Sequence, residues 1–325
     1  MKNQKKTKIT TPVALIFFNR PDLTKKIFSV ISSVKPDKLF LISDGPRDVK
    51  NEDELVNECR AIVSNINWKC KIYKNYSESN LGCKYRPSSG IDWVFKHTDK
   101  AIILEDDCLP HVDFFHYCED LLNYYESDLR VSMISGNNLS PGCFKGDDSY
   151  FFSNYTFCWG WATWRNRWHN SFDIKLSKWP DLKNSSFFQT VHPNKYSADA
   201  WTTGFDLLYQ DKIDAWDYQW LFANWLENRY TIVPRVNLVS NIGFSANATH
   251  TFSAINPLAN IATKQIKFPL KHPGYVFPNY KADQILYKKV FGIKLKDRLK
   301  KLWLDIKFYI KKIPGSRNLY QKLHK

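Results

Sequence analysis

Three consecutive carboxylates, Glu105-Asp106-Asp107, follow directly on the apolar run Ala101-Ile102-Ile103-Leu104. Adjacent acids repel one another, so a working site of this kind needs a positive charge among them. Oxygen ligands on a tight turn suit a hard divalent ion such as Mg²⁺ or Mn²⁺, and an ion held that way usually also takes phosphate oxygens. The same triplet also reads as a solvated turn in which Asp107 helps to cap the helix that follows.

The flanking elements must aim these acids. Residues 13–18 read as a strand, followed by a helical face of Leu23, Ile27, Ile31 and Val34. Residues 38–43 form a second strand, and 52–66 a helix with Leu55, Cys59, Ile62 and Ile66 inward. Residues 70–73 and 90–96 give a third strand and part of a third helix; 101–104, 112–125 and 131–135 continue the alternation. Strands that are apolar throughout, joined by amphipathic helices, predict an α/β fold with a mostly parallel sheet covered on both faces. Ligands of such sheets bind beyond the carboxyl ends of the strands. Asn19-Arg20, Asp44-Gly45-Pro46-Arg47, Ser79-Asn80-Leu81-Gly82 and the acidic triplet all fall there. After Gly136 the pattern changes. A short strand at 150–153 precedes the Trp-rich run 157–168, then helices at 199–209 and 216–228, β segments at 230–233 and 236–239, and a loop at 241–251.

With 325 residues, 43% hydrophobic and 16% aromatic, the chain has ample core and is not disordered. Seven scattered cysteines without a C-x-x-C pair read as reduced thiols of a cytosolic protein, not as a disulfide frame or zinc site. The N-terminal residues 1–11 are basic and polar, and no signal-type apolar core follows them.

The combination of Asn19-Arg20-Pro21 after the first strand, Ser43-Asp44-Gly45, Asn80-Leu81-Gly82 and Leu104-Glu105-Asp106-Asp107-Cys108-Leu109-Pro110 with Phe114-Phe115 resembles a known family. It is similar to GT-A-fold glycosyltransferases of the family 2-like type, which share features with N-acetylglucosaminyltransferase I. The resemblance spans about residues 12–251, most of the chain. It implies that Asp107 binds the metal directly, with His250 of the 241–251 loop as a further ligand. Asp106 would act through water or the donor ribose, and Glu105 would help position the nucleotide. Asp44 would hydrogen-bond the base, expected to be uracil, Arg20 the base or diphosphate, and Gly82 would lie on the donor side. Asp217, in Ala215-Trp216-Asp217-Tyr218-Gln219-Trp220, would be the catalytic base of an inverting transfer, with Asp206 and Asp214 as alternatives. An N-cap between core tryptophans is the other reading of Asp217. Trp161, in Trp159-Gly160-Trp161, would lie against the sugars, although such clusters are also core. Arg165 and Arg167 could reach phosphates of a lipid-linked acceptor.

From residue 281 onward there are fourteen Lys or Arg against three Asp, a net +11, which leaves only +4 for the first 280 residues. Leu295, Leu299, Leu302, Trp303 and Ile306 recur at helical spacing among these lysines, as in a helix lying on an anionic membrane surface or docked on the enzyme body. The expected organisation is a basic extension (1–11), a nucleotide-sugar half (12–135), an acceptor half (136–255) and a linker with a basic tail (256–325). The expected activity is transfer of a sugar from a nucleotide diphosphate donor to a saccharide or lipid-linked saccharide, at the inner face of the membrane. A sugar-phosphate nucleotidyltransferase would share the sheet and the acids, but Phe18-Asn19-Arg20-Pro21-Asp22 lacks its glycine-rich phosphate loop. A nucleic-acid partner is not expected, because the basicity is segregated and no recognition motif appears.

Overall fold

The computed structural model describes residues 8–191, 195–244 and 258–290. His250 and the apolar-basic run beyond residue 290 lie outside the described residues. The chain opens with β1 (Val13–Phe17), α1 (Pro21–Val34), β2 (Lys38–Ser43), α2 (Glu52–Ser64), β3 (Lys71–Tyr76), α3 (Gly82–Phe95) and β4 (Lys100–Glu105). It continues through β5 (Cys108–Pro110), α4 (Asp113–Tyr124), β6 (Val131–Ser135), β7 (Tyr150–Ser153) and β8 (Trp161–Trp164). Helices α5 (Arg165–Ser171), α6 (Trp179–Leu182), α7 (Phe187–Val191), α8 (Lys195–Tyr209) and α9 (Asp217–Leu226) follow, then β9 (Tyr230–Pro234), β10 (Val239–Asn241) and α10 (Tyr280–Val290).

Eight strands form one sheet in the order β3-β2-β1-β4-β8-β6-β9-β7. The first four are parallel. β8 runs antiparallel between β4 and β6, β9 lies parallel to β6, and β7 closes the far edge antiparallel. The fold is thus α/β, with a mixed and mostly parallel sheet covered by helices. Every residue of β1 is buried, because both faces of the sheet are covered. Val13, Leu15 and Phe17 pack with Ile27 and Ile31 of α1 and the buried side of α4. Ala14 and Ile16 face the opposite way, onto Ile91 and Val94 of α3 and a tryptophan cluster.

Helix α2 turns Val56, Cys59 and Val63 inward and leaves Leu55 exposed, and other elements also depart from the sequence pattern. Helix α3 starts at Gly82, well before the 90–96 stretch that periodicity marks, and runs through Pro87. β8 is made of Trp-Ala-Thr-Trp, all buried, and its aromatic composition hides a central strand. Among the described residues no helix is long and apolar enough to cross a membrane, and none of the seven cysteines is in a disulfide.

Helix α10 docks on β7 through Asp283. Its carboxylate accepts hydrogen bonds from Ser153 Oγ (2.5 Å), Asn154 N (2.9 Å) and Asn154 Nδ2 (3.0 Å). Burial nevertheless raises this carboxyl from 3.8 to about 6. The folded state therefore holds the proton more tightly than the unfolded chain. The stability this contributes is complete below about pH 4 and is lost as the pH rises through about 6. Wild type is expected to lose stability across that window by up to about 3 kcal/mol relative to Asp283→Asn. Parallel curves of melting temperature against pH for the two proteins would rule Asp283 out as the titrating anchor.

Candidate active site

The carboxyl ends of the four parallel strands are joined in two pairs. Between β1 and β4, the guanidinium of Arg20 bonds Asp106 Oδ1 and, at 3.1 Å, Asp107 Oδ2. The amide of Phe18 donates to Asp106 Oδ2 at 3.2 Å, so Asp106, 2% exposed, is gripped from both sides. The positive charge that three adjacent acids require is here supplied by the protein itself. Burial first, and the neighbouring acids second, hold Glu105 well above the usual carboxylate range. Burial likewise raises Asp106, against the opposing pull of Arg20.

The capping alternative for Asp107 is excluded by the geometry. β5 intervenes before α4, pairing antiparallel with β10, and the N-cap position of α4 is Val112. Asp107 instead lies under the chain leaving β10. Its carbonyl accepts the Ile242 amide at 2.8 Å. A Cβ on Gly243 would collide with the carboxylate of Asp107, so only glycine lets the backbone pass that close. Sequence reasoning missed Gly243, whose only visible signal is a glycine between Ile242 and Phe244.

Between β2 and β3 the partner is Asp44. Its Oδ1 accepts the amides of Gly45 and Leu81, both at 2.9 Å. Its Oδ2 accepts Gly82 N at 3.0 Å and Asn80 Nδ2 at 3.1 Å. Four donors fill the in-plane acceptor positions of this carboxylate. Asp44 therefore braces the turn that opens α3, and a direct bond to a base would have to displace one of these donors. Arg60 supports the same loops, donating to Ser43 Oγ at 3.0 Å and to the Ser77 carbonyl at 2.7 Å. Gly82 adopts φ +76°, and its amide is taken up by Asp44. The early start of α3 has a source distant in sequence. Asp214 accepts the Lys84 amide at 3.1 Å, and so satisfies a first-turn donor of the helix, and its other oxygen accepts the Cys83 thiol at 2.9 Å.

Asp217 opens α9 and is one of the negative charges acting on Glu105. Cys158 lies in the field of both carboxylates. The two fallback acids are engaged elsewhere: Asp214 at α3, and Asp206 with Trp179 Nε1 at 2.9 Å.

Trp161 is a correction. It is fully buried, because β8 pairs it with Ile103 of β4 and Ser135 of β6. Its ring stacks on Trp216 (centroids 5.8 Å apart) and packs near Trp168 and Trp220, both at 6.1 Å. It cannot touch a sugar, but it supports the residue immediately before Asp217. Trp159 is half-buried and lies edge-on to Phe244 at 5.6 Å. Trp161→Ala is accordingly expected to cost about 3–5 kcal/mol in denaturant unfolding, and Trp159→Ala much less. Comparable losses for the two would contradict this division. Arg167 is also corrected: 1% exposed, it donates to the carbonyls of Val131, Tyr125 and Glu126, and so is a brace rather than a phosphate ligand.

The donor set is hard carboxylate oxygen, the type a hard cation takes, but Arg20 already bonds Asp106 Oδ1 and Asp107 Oδ2, so an ion would have to share or displace it. Among the described residues no three His, Cys, Asp or Glu side chains converge into a ready metal cage. None is needed where one or two carboxylates share an ion with phosphate and water.

No protein-family model and no curated protein matches this chain. Partial likenesses among solved structures include a mannosyltransferase from Pyrobaculum calidifontis in complex with GDP-Man and Mn²⁺, at 12% identity and a TM-score of 0.31 over 50% of this chain and 46% of that one. A UDP-glucose pyrophosphorylase complexed with UDP-glucose matches at 9% and 0.26, over 46% of this chain and 63% of its own. A 4-diphosphocytidyl-2C-methyl-D-erythritol synthase from Anaerococcus prevotii matches at 12% and 0.30, over 48% and 72%. The chain thus spans less than half of the mannosyltransferase and under two thirds of the pyrophosphorylase. Likenesses this partial carry no weight for the chemistry, which rests on the site.

Proposed function

We propose that this chain is a metal-dependent, inverting glycosyltransferase. It moves a sugar from a uridine diphosphate donor to a hydroxyl of a saccharide or lipid-linked saccharide in cell-surface glycan synthesis. The observation that carries the proposal is the acidic turn at the end of β4, held by Arg20. Asp107 would hold Mn²⁺ or Mg²⁺ directly, with Asp106 and Glu105 positioning the nucleotide, while His250 lies outside the described residues. Bound there, such an ion neutralises the diphosphate and the charge that develops as the glycosidic bond breaks. Arg20 can exchange carboxylate for phosphate oxygens, since its planar fork fits both. Asp44 shapes the donor side by fixing the Asn80–Gly82 turn rather than by reading the base alone. Trp159 covers the apolar face of a sugar, and Asp217 takes the proton of the attacking hydroxyl.

The test is a screen of UDP- and GDP-sugars with and without Mn²⁺, reading nucleoside diphosphate release and thermal shift of the full chain. Mn²⁺-dependent release of UDP is the expected result. Pyrophosphate release would instead mark a sugar-phosphate nucleotidyltransferase. No response to any uridine or guanosine donor would sink the proposal.

A further inference from the structure

The outer edge of β7 is covered by the segment at 271–280, which is hydrogen-bonded to it at 271–272 and again at 279. Lys271 and Ser149 exchange two hydrogen bonds, both at 2.9 Å. His272 Nδ1 shares one with Tyr150 OH at 2.8 Å, and the Asn279 amide donates to Phe152 O at 2.8 Å. Val276 packs on the core and Pro278 is buried. The residues between them point outward: Tyr275 is 83% exposed, Phe277 59% and Tyr280 57%. Tyr124 adds a further exposed ring, stacked on His272 with centroids 3.9 Å apart. These are not rings on a loose loop. Phe277 and Tyr280 meet edge to face with centroids 5.5 Å apart, and exposed rings grouped on a segment anchored at both ends mark an interaction surface.

Helix α10 begins at once and extends the same surface. Ala282, Asp283 and Leu286 turn inward, while Lys281, Gln284, Ile285, Lys288 and Lys289 are exposed. From Lys281 to the end of the chain the sequence carries fourteen Lys or Arg against three Asp. Addition of a strand from another chain is blocked, because 271–280 already covers the β7 edge. Aromatic rings beside a row of lysines, continuous with a basic segment, match the chemistry of an anionic bilayer. Tyr and Phe enter the headgroup level and Lys pairs with acidic lipids.

We propose that Tyr275, Phe277 and Tyr280, with the lysine face of α10, form a fixed membrane-contact surface that seats the body of the protein on anionic lipid. This goes beyond the transferase reading and is tested without donor or acceptor, so the two can fail separately. Full-length protein is sedimented with vesicles of phosphatidylcholine alone or mixed with phosphatidylglycerol. Wild type is expected to partition to the anionic vesicles. The triple variant Tyr275→Ser/Phe277→Ser/Tyr280→Ser is expected to bind them about tenfold more weakly or worse, with an unchanged melting temperature. Tyr275→Trp/Phe277→Trp is expected to bind at least as well as wild type, which separates ring burial from a folding defect. The proposal is overturned if wild type ignores anionic vesicles or if the triple variant binds as wild type does. It is also overturned if the patch instead holds a dimer that the triple variant converts to monomer without any lipid binding.

Discussion

Asp107→Asn is expected to lower metal-dependent transfer by about 10³-fold in kcat/KM while leaving the melting temperature unchanged or higher. The two halves of this result have one cause. Asp107 is one of three adjacent acids and raises the cost of ionising both of its neighbours, Glu105 and Asp106. A fold gains nothing from such crowding. Arg20 relieves only part of it, and Asp106 keeps that arginine and the Phe18 amide when Asp107 is neutral. The asparagine of the variant would still fit beneath Gly243, because the amide matches the carboxylate in size. The substitution thus removes a charge that crowds its two neighbours and serves when a cation and a diphosphate arrive, as expected where function is bought with stability. Kinetics with Mn²⁺ and a thermal melt of the same preparation decide the matter. A clear drop in melting temperature with transfer intact would make the triplet a structural turn.

Local physics made the first half of the chain legible. β1, β2, α1 and β6 lie where apolar runs and helical spacing put them, within a residue or two. The rim segments following β1 to β4 were also visible, because polar residues after an apolar strand are a local signal. What local pattern does not carry is pairing across the chain. The start of α3 depends on Asp214, more than a hundred residues away, and β8 is a strand because β4 and β6 offer it hydrogen bonds on both sides. That second fact reverses the meaning of Trp161: an aromatic that composition offers to a sugar is consumed by the core. Asp44 shows the same limit on a smaller scale. Its residue type suited a base contact, but the turn at Asn80–Gly82 claims its oxygens. Gly243 was illegible for a plainer reason, since the need for glycine arises only from the approach of Asp107.

Asp217→Asn is the substitution that separates the chemistry from the binding. As catalytic base, Asp217 would touch only the acceptor hydroxyl, so the variant should keep its affinity for the donor and lose about 10²–10⁴-fold in kcat. Its place at the start of α9 gives it a structural value too, because an acid in the first turn faces the positive end of the helix dipole. That contribution is worth only about 0.3–1 kcal/mol, far below the 3–5 kcal/mol or so that the neighbouring tryptophan cluster would lose through Trp161→Ala. A purely structural Asp217 would therefore show a small melting shift and near-normal turnover; a base would show the small shift with turnover gone. The pH profile adds a readout that folding cannot mimic. Loss of the base should remove the acidic limb of kcat, and Asp217→Glu should restore that limb with reduced amplitude, because the longer side chain carries the same group to a displaced position. Near-normal turnover in Asp217→Asn with donor still bound would remove Asp217 from the mechanism. The proton acceptor would then have to be sought among groups nearer Glu105, since Asp206 and Asp214 are committed to Trp179 and to the start of α3.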